Sequence, residues 1–143
     1  MDSSAFERLC ILLLRKSGFK KVDPTKSGGD GGIDGMGILQ INLISFTVGL
    51  QCKCYRENNK VKPRDIRDFR DAIQGRADKG IFITTSSFTR EARKEAQAVG
   101  KSNIDLIEGD ELCEKLKELR IGIETKIESI EKVTISHQFF IDI

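Results

Sequence analysis

The stretch Gly28-Gly29-Asp30-Gly31-Gly32-Ile33-Asp34-Gly35 constrains this 143-residue chain more than any other. Four glycines in five residues cannot form helix or an ordinary strand interior; they permit positive φ and the close approach of a backbone or ligand. The turn hands a carboxylate, Asp34, to the start of a strand. Further on, Leu50-Gln51-Cys52-Lys53-Cys54 reads as a second strand. Side chains alternate faces along a strand, so Gln51 and Lys53 point one way and Leu50, Cys52 and Cys54 the other. If the two strands pair, Asp34, Gln51 and Lys53 meet at one end of a small sheet.

A nucleotide-cradling loop is the rival reading of the glycines. The Walker pattern requires Gly-Lys-Ser/Thr opening a helix, which Asp30 and Asp34 do not replace. Carboxylates in the loop would also repel a phosphate unless a cation sat between them. An acid, an amide oxygen and an ammonium together instead suit metal-assisted cleavage of a phosphodiester.

The rest of the chain supplies a frame. Phe6, Leu9, Cys10, Leu13 and Leu14 recur at helical spacing, predicting a helix from Ala5 to about Ser17, capped by Ser3 or Ser4 and stopped by Gly18. Glu7 near its start is explicable by the helix dipole alone. Phe19–Val22 reads as a short edge strand ended by Asp23-Pro24. Ile33–Ile41 and Ser45–Tyr55 read as a hairpin turning at Asn42-Leu43-Ile44, with Val48-Gly49 allowing a bulge. Pro63 suits the first turn of a helix to about Ile73, with Ile66, Phe69, Arg70 and Ile73 on one side. Ile81–Thr85 has the apolar, β-rich character of a buried strand. Thr89 caps a helix through about Val99, Ile104–Ile107 is a last strand, and Glu111–Leu119 a last helix. The order α-β-β-β-α-β-α-β-α predicts one mixed sheet, antiparallel in its first part and parallel after Pro63, with helices on both faces.

In this order the residues resemble a known family. Phe6-Glu7 in a first helix, then GGDGGIDG, QCK and GIFITTSSFT, are similar to the Mrr-type restriction endonuclease catalytic domain of the PD-(D/E)XK nuclease superfamily. The resemblance runs from about Phe6 to about Leu119 and implies a restriction-endonuclease-like α/β/α fold over residues 1–120. It matches Asp34 to the metal-binding Asp, Gln51 to a position where most of the superfamily has an acid, and Lys53 to the catalytic Lys. It makes Glu7 an acid that approaches the metal or its water shell. Asp34 and Gln51 are then the expected ligands of Mg2+, with Mn2+ able to substitute. Gln51 offers only a neutral oxygen, so metal binding is expected to be weak unless Glu7 or Asp30 contributes. Lys53 would hold the attacking water or the scissile phosphate and stabilise the transition state.

The implied function is a metal-dependent endonuclease acting on double-stranded DNA, with restriction of modified foreign DNA suggested by the Mrr branch. Two alternatives stay open. One is a nuclease-fold DNA-binding or assembly module with weak or no catalysis; the other is a Holliday-junction resolvase of the same superfamily. The family often carries a separate recognition domain or subunit, and no helix-turn-helix or zinc-finger pattern appears here.

Charge bears on the partner. The net charge is only +2, yet residues 51–101 hold thirteen Lys/Arg against seven Asp/Glu, and residues 102–143 five against ten. A solvated helix surface would explain the basic middle. A polyanion-binding face explains it too, with Arg56, Lys60, Lys62 and Arg64 as the expected phosphate contacts. The four cysteines are scattered and His137 is the only histidine, which argues for reduced buried thiols over zinc or disulfides. No apolar run approaches the roughly 18 residues of a membrane span. The first residues also lack signal-peptide character, so the expected location is cytoplasmic. Residues 121–143 read as an extension. Ile123, Ile127 and Ile130 fit a helix, whereas Val133, Ile135 and Phe139-Phe140-Ile141 fit a strand. Such a tail is expected to pack on its own domain or on a second subunit of a homodimer.

Overall fold

The computed structural model describes residues 2–25, 32–98, 100–101 and 103–119. Most of the glycine turn, with Asp30, and the whole tail lie outside the described residues, as do the expectations attached to them.

Helix α1 (Ser3–Lys16) is followed by β1 (Lys20–Pro24), β2 (Gly35–Ile41) and β3 (Ile44–Lys53). Then come α2 (Pro63–Ile73), β4 (Lys79–Thr84), α3 (Arg90–Ala96), β5 (Ile104–Ile107) and α4 (Gly109–Glu118). The strands form one sheet in the order β1-β2-β3-β4-β5. β1, β2 and β3 pair antiparallel, whereas β3, β4 and β5 pair parallel. This is the mixed sheet that the pattern predicts.

Two apolar cores flank the sheet. One joins Phe6, Leu9, Cys10, Leu13 and Leu14 of α1 and Leu112 and Leu116 of α4 to Leu50, Cys52 and Ile83. The other joins Ile66, Phe69 and Ile73 of α2 and Ala92 and Ala96 of α3 to Phe82 and Ile104. Along β4, Ile83 enters the first core and Phe82 the second, while β3 sends Leu50 and Cys52 into the first and sets Gly49 against Ile73 of the second, so the sheet is covered on both faces and the architecture is three-layered. Phe82 is fully buried, with its ring edge-on to Phe69 and Phe88 at 5.7 and 5.5 Å. The buried side of α2 is Ile66, Phe69, Arg70 and Ile73, the set its periodicity predicts.

Several local expectations need correction. The cap of α1 is Asp2, whose Oδ1 accepts from Ala5 N at 2.7 Å, so Ser3 and Ser4 are helical. Glu7 therefore lies beyond the first turn, where the dipole fades. There is no bulge at Val48-Gly49: β2 and β3 pair without interruption from Gly35–Leu50 to Ile41–Ile44. Gly49 has another purpose, since a Cβ there would come within 2.7 Å of Ile73 Cγ2. The irregularity is in β1, between Lys20 and Asp23, where Lys21 has a φ of 51°. The strand with the lysine is shorter than expected, ending at Lys53, and α3 ends at Ala96.

Candidate active site

The backbone fixes Asp34 before its side chain does anything. Its N–H donates to Leu50 O at 2.6 Å and its carbonyl accepts from Thr25 N at 3.0 Å. Residue 34 is thus tied to the end of β1 on one side and to β3 on the other. Gly35 follows, and a Cβ at that position would lie 2.6 Å from Ile11 Cδ1 of α1 and 3.3 Å from the main-chain Asp23 O.

The half-buried carboxylate then turns toward β3. Its Oδ2 accepts from Cys52 N at 2.7 Å and from Gln51 Nε2 at 3.2 Å. Gln51 is buried, unusually for an amide, and its Oε1 faces Gly32: a Cβ on Gly32 would sit 3.0 Å from that oxygen. Gly32 also has a φ of 107°, so glycine is required there on both counts.

Lys53 and Glu7 complete the cluster electrostatically. Burial raises the Asp34 carboxyl above its ordinary range, against the lowering effects of the Cys52 N–H, the Lys53 ammonium and the Gln51 amide. Burial also raises Glu7, the Asp34 charge adds to that, and Lys53 opposes it. Glu7 reaches this place from α1, whose Phe6 and Cys10 anchor it in the core beneath β3. On that opposite face the Cys52 thiol is pushed well up by burial and by its hydrogen bond to Cys10, a packing thiol and not a reactive one. All four cysteines are free, and Cys10 and Cys52 are buried.

The donor set suits a hard cation. Asp34 uses one oxygen, Oδ2, for both hydrogen bonds above, and the Gln51 oxygen is turned away from its own amide's bond. Carboxylate and amide oxygens are the ligands magnesium takes, usually one or two of them beside water and phosphate. Among the described residues no three His, Cys, Asp or Glu side chains cluster, so the oxygen donors gathered here are those of Asp34 and Gln51, with Glu7 in electrostatic reach of Asp34.

Arg56, Lys60, Lys62 and Arg64 are all exposed, in the segment between β3 and the first turn of α2. Asp65 Oδ2 accepts from Lys62 N at 3.0 Å at that helix start. Arg64 is loosely paired with Asp68 at 3.9 Å, both in solvent, which is worth little and leaves the guanidinium available. The sequence reading missed two features. The Cys52 main-chain N–H on Asp34 carries no side-chain signal. The hydroxyls of Thr84, Thr85 and Ser86 read only as strand end and turn, yet they donate to the carbonyls of Lys53, Tyr55 and Asn59.

A mixed five-stranded sheet between helical layers, with an acid, an amide and a lysine at one strand end, defines a restriction-endonuclease-like nuclease domain. Residues 1–116 match the Mrr catalytic family of restriction endonucleases, and the chain belongs to it. It is 31% identical over 143 residues to the type IV methyl-directed restriction enzyme EcoKMrr of Escherichia coli K12, covering 96% of this chain and 45% of that protein. The chain thus spans less than half of this curated relative. Its fold is similar to those of two solved restriction enzymes. The DNA modification-dependent restriction endonuclease AspBHI gives a TM-score of 0.70 at 23% identity, over 97% of this chain and 36% of that one. MspJI, solved with a 27-mer oligonucleotide, gives 0.65 at 24% identity, over 94% and 31%. No helix among the described residues is long and apolar enough to cross a membrane.

Proposed function

We propose that this domain hydrolyses phosphodiester bonds of duplex DNA with a divalent cation, Mg2+ or Mn2+, and that it serves restriction of modified DNA. The observation that carries the reading is the Gln51–Asp34 contact at 3.2 Å, with Lys53 and Glu7 within electrostatic reach. Modified DNA as substrate rests on the names of the relatives, EcoKMrr and AspBHI.

In this reading Asp34 and Gln51 hold the cation and Glu7 approaches its water shell. Bound there, the cation would acidify a water and offset charge on the phosphate. Cys52 N–H keeps Asp34 from turning away. Lys53, one residue further and on the face of Gln51, stabilises the negative charge that builds up on the phosphoryl oxygens. Arg56, Lys60, Lys62 and Arg64 track the backbone of the duplex, which carries no sequence information by itself. A cytoplasmic location, a homodimer and a separate recognition domain or subunit belong to the same reading, since cutting both strands with one site per chain requires two chains or two visits.

The test is cleavage of methylated, unmethylated and branched DNA with Mg2+, with Mn2+ and with chelator. Metal-dependent cutting of the methylated duplex, abolished in Asp34→Ala and reduced at least about 100-fold in Lys53→Ala, is expected. Equal cutting by Asp34→Ala and the parent would remove Asp34 from the chemistry. Preference for branched DNA would shift the reading to a junction resolvase.

A further inference from the structure

Beyond Lys53 the strands β3 and β4 part company. Lys53 is still paired with Thr84 in the parallel ladder, but from Cys54 onward the backbone makes an excursion to residue 60. That excursion carries Arg56 and Lys60. The last ladder bond is from Thr85 N to Lys53 O at 3.3 Å, and side-chain hydroxyls add to it and then take its place. Thr84 Oγ1 donates to Lys53 O at 2.8 Å, Thr85 Oγ1 to Tyr55 O at 2.6 Å, and Ser86 Oγ to Asn59 O at 2.9 Å. Three successive hydroxyls thus hold the last carbonyl of β3 and two carbonyls of the loop after it. The backbone resumes at Val61, whose N–H donates to Ser87 O at 2.9 Å and whose carbonyl accepts from Thr89 N at 3.0 Å.

The burial of these groups shows where the constraint is strongest. Thr84 is fully buried and Ser86 nearly so, with their oxygens 3.2 Å apart. Thr84 Oγ1 also accepts from Ser86 N at 3.2 Å. A hydroxyl in such a place costs free energy unless it is bonded, and an apolar isostere would pack there without that cost. At Thr84 that bond is to the carbonyl of Lys53.

We propose that Thr84 is a positioning residue for Lys53, and that Ser86 does the same for the basic loop that follows. Thr84 fixes the peptide plane after the lysine and so the direction in which the ammonium leaves the sheet end. Ser86 fixes the loop base at Asn59, beside Lys60. The proposal rests on the reading of Lys53 as the cation that stabilises the transition state. Misplacement by about 1 Å is enough to cost on the order of 100-fold in rate.

The experiment compares the parent with Thr84→Val, Thr84→Ser, Ser86→Ala and Lys53→Ala. It reads single-turnover cleavage of a saturating methylated duplex, DNA affinity in chelator, and hydrogen exchange of the metal-free protein. Thr84→Val is expected to lose roughly 100-fold in rate with DNA affinity within about threefold of the parent, and Thr84→Ser to recover most of the loss. Ser86→Ala is expected to weaken DNA binding and to speed exchange over residues 54–60, with α1 unaffected. Equal loss in Thr84→Val and Thr84→Ser would show that the hydroxyl is not what acts. A parent-like Thr84→Val beside an inactive Lys53→Ala would overturn the positioning role alone. A fully active Lys53→Ala would overturn the reading of the lysine, and the positioning role with it. Unchanged exchange over residues 53–61 in both Thr84→Val and Ser86→Ala would refute the proposal whatever the turnover.

Discussion

The side-chain amide of Gln51 donates directly to the carboxylate of Asp34, Nε2 to Oδ2 at 3.2 Å. A neutral partner thus satisfies the acid without adding charge. Gln51→Glu would place a second carboxylate against the first. Like charges so close disfavour joint ionisation. With the hydrogen bond also lost, the metal-free variant is expected to be less stable at neutral pH by about 1 kcal/mol. That corresponds to a fall in Tm of roughly 4 °C. The same added charge should bind a divalent cation more tightly, so Mg2+ should raise Tm more in the variant than in the parent. Thermal melts with Mg2+ and with chelator measure both effects. An identical metal response in the two proteins would mean that position 51 faces no cation.

Asp34 itself predicts a pH dependence for the metal-free protein. Burial, its largest influence, raises its carboxyl in the folded state. Between the unfolded and folded values the native protein holds the extra proton, so stability falls as pH rises through that window. The penalty is absent below the unfolded value and is complete once pH has passed the folded one. Asp34→Asn is therefore expected to raise Tm at pH 7 in chelator and to lose that advantage below about pH 4, where both forms are neutral. A variant less stable than the parent at neutral pH would mean that the bonds from Cys52 and Gln51 outweigh desolvation.

Much of this was legible in the sequence, and the exceptions share a cause. Apolar periodicity defined α2 down to Ile66, Phe69, Arg70 and Ile73, because burial on one helix side is recorded residue by residue. Strand alternation put Gln51 and Lys53 on one face, and the fold brought Asp34 to Gln51. Gly49 was misread because a glycine in a strand serves a bulge and a close approach equally well. Only the position of Ile73 decides between them. The bonds from Thr84, Thr85 and Ser86 join residues 27 to 31 apart along the chain. Polar side chains at a strand end have no periodicity to betray such partners. Arg70 shows the same limit. It lies on the apolar side of α2 because its Nη1 meets Glu95 Oε2 of α3 at 2.5 Å, a partner no local pattern reveals.

Lys60 and Lys62 are exposed, on either side of the buried Val61, in the segment that follows Lys53 along the chain. If both contact phosphates, Lys60→Glu/Lys62→Glu should weaken binding to every duplex about equally. The slope of log affinity against log salt should become shallower by about 2. Fluorescence anisotropy across a salt series gives both numbers. Loss confined to one sequence, or an unchanged slope, would place these lysines away from the DNA backbone.

The start of α4 is wedged against the segment that carries the hydroxyls. A Cβ on Gly109 would lie 2.4 Å from Thr85 O and 3.2 Å from its carbonyl carbon, both main-chain atoms, while Gly109 N already donates to Ser86 O at 3.0 Å. At Gly49 the obstacle is Ile73 Cγ2 at 2.7 Å, a side-chain methyl whose displacement leaves the main chain in place. Neither glycine has a positive φ, so space and not backbone conformation separates the two sites. Gly109→Ala must move the helix or the turn, and is expected to cost about 3 kcal/mol, the upper end for overpacking. Gly49→Ala is expected to cost about 1 kcal/mol, partly offset by the lower entropy of the unfolded chain. Urea titrations of the two variants give the comparison. Because Thr85 and Ser86 hold Tyr55 and Asn59, Gly109→Ala is also expected to slow cleavage at temperatures where it is fully folded, and Gly49→Ala is not. A Gly109→Ala protein as stable and active as Gly49→Ala would mean that α4 moves away from the turn without disturbing the loop beside Lys53.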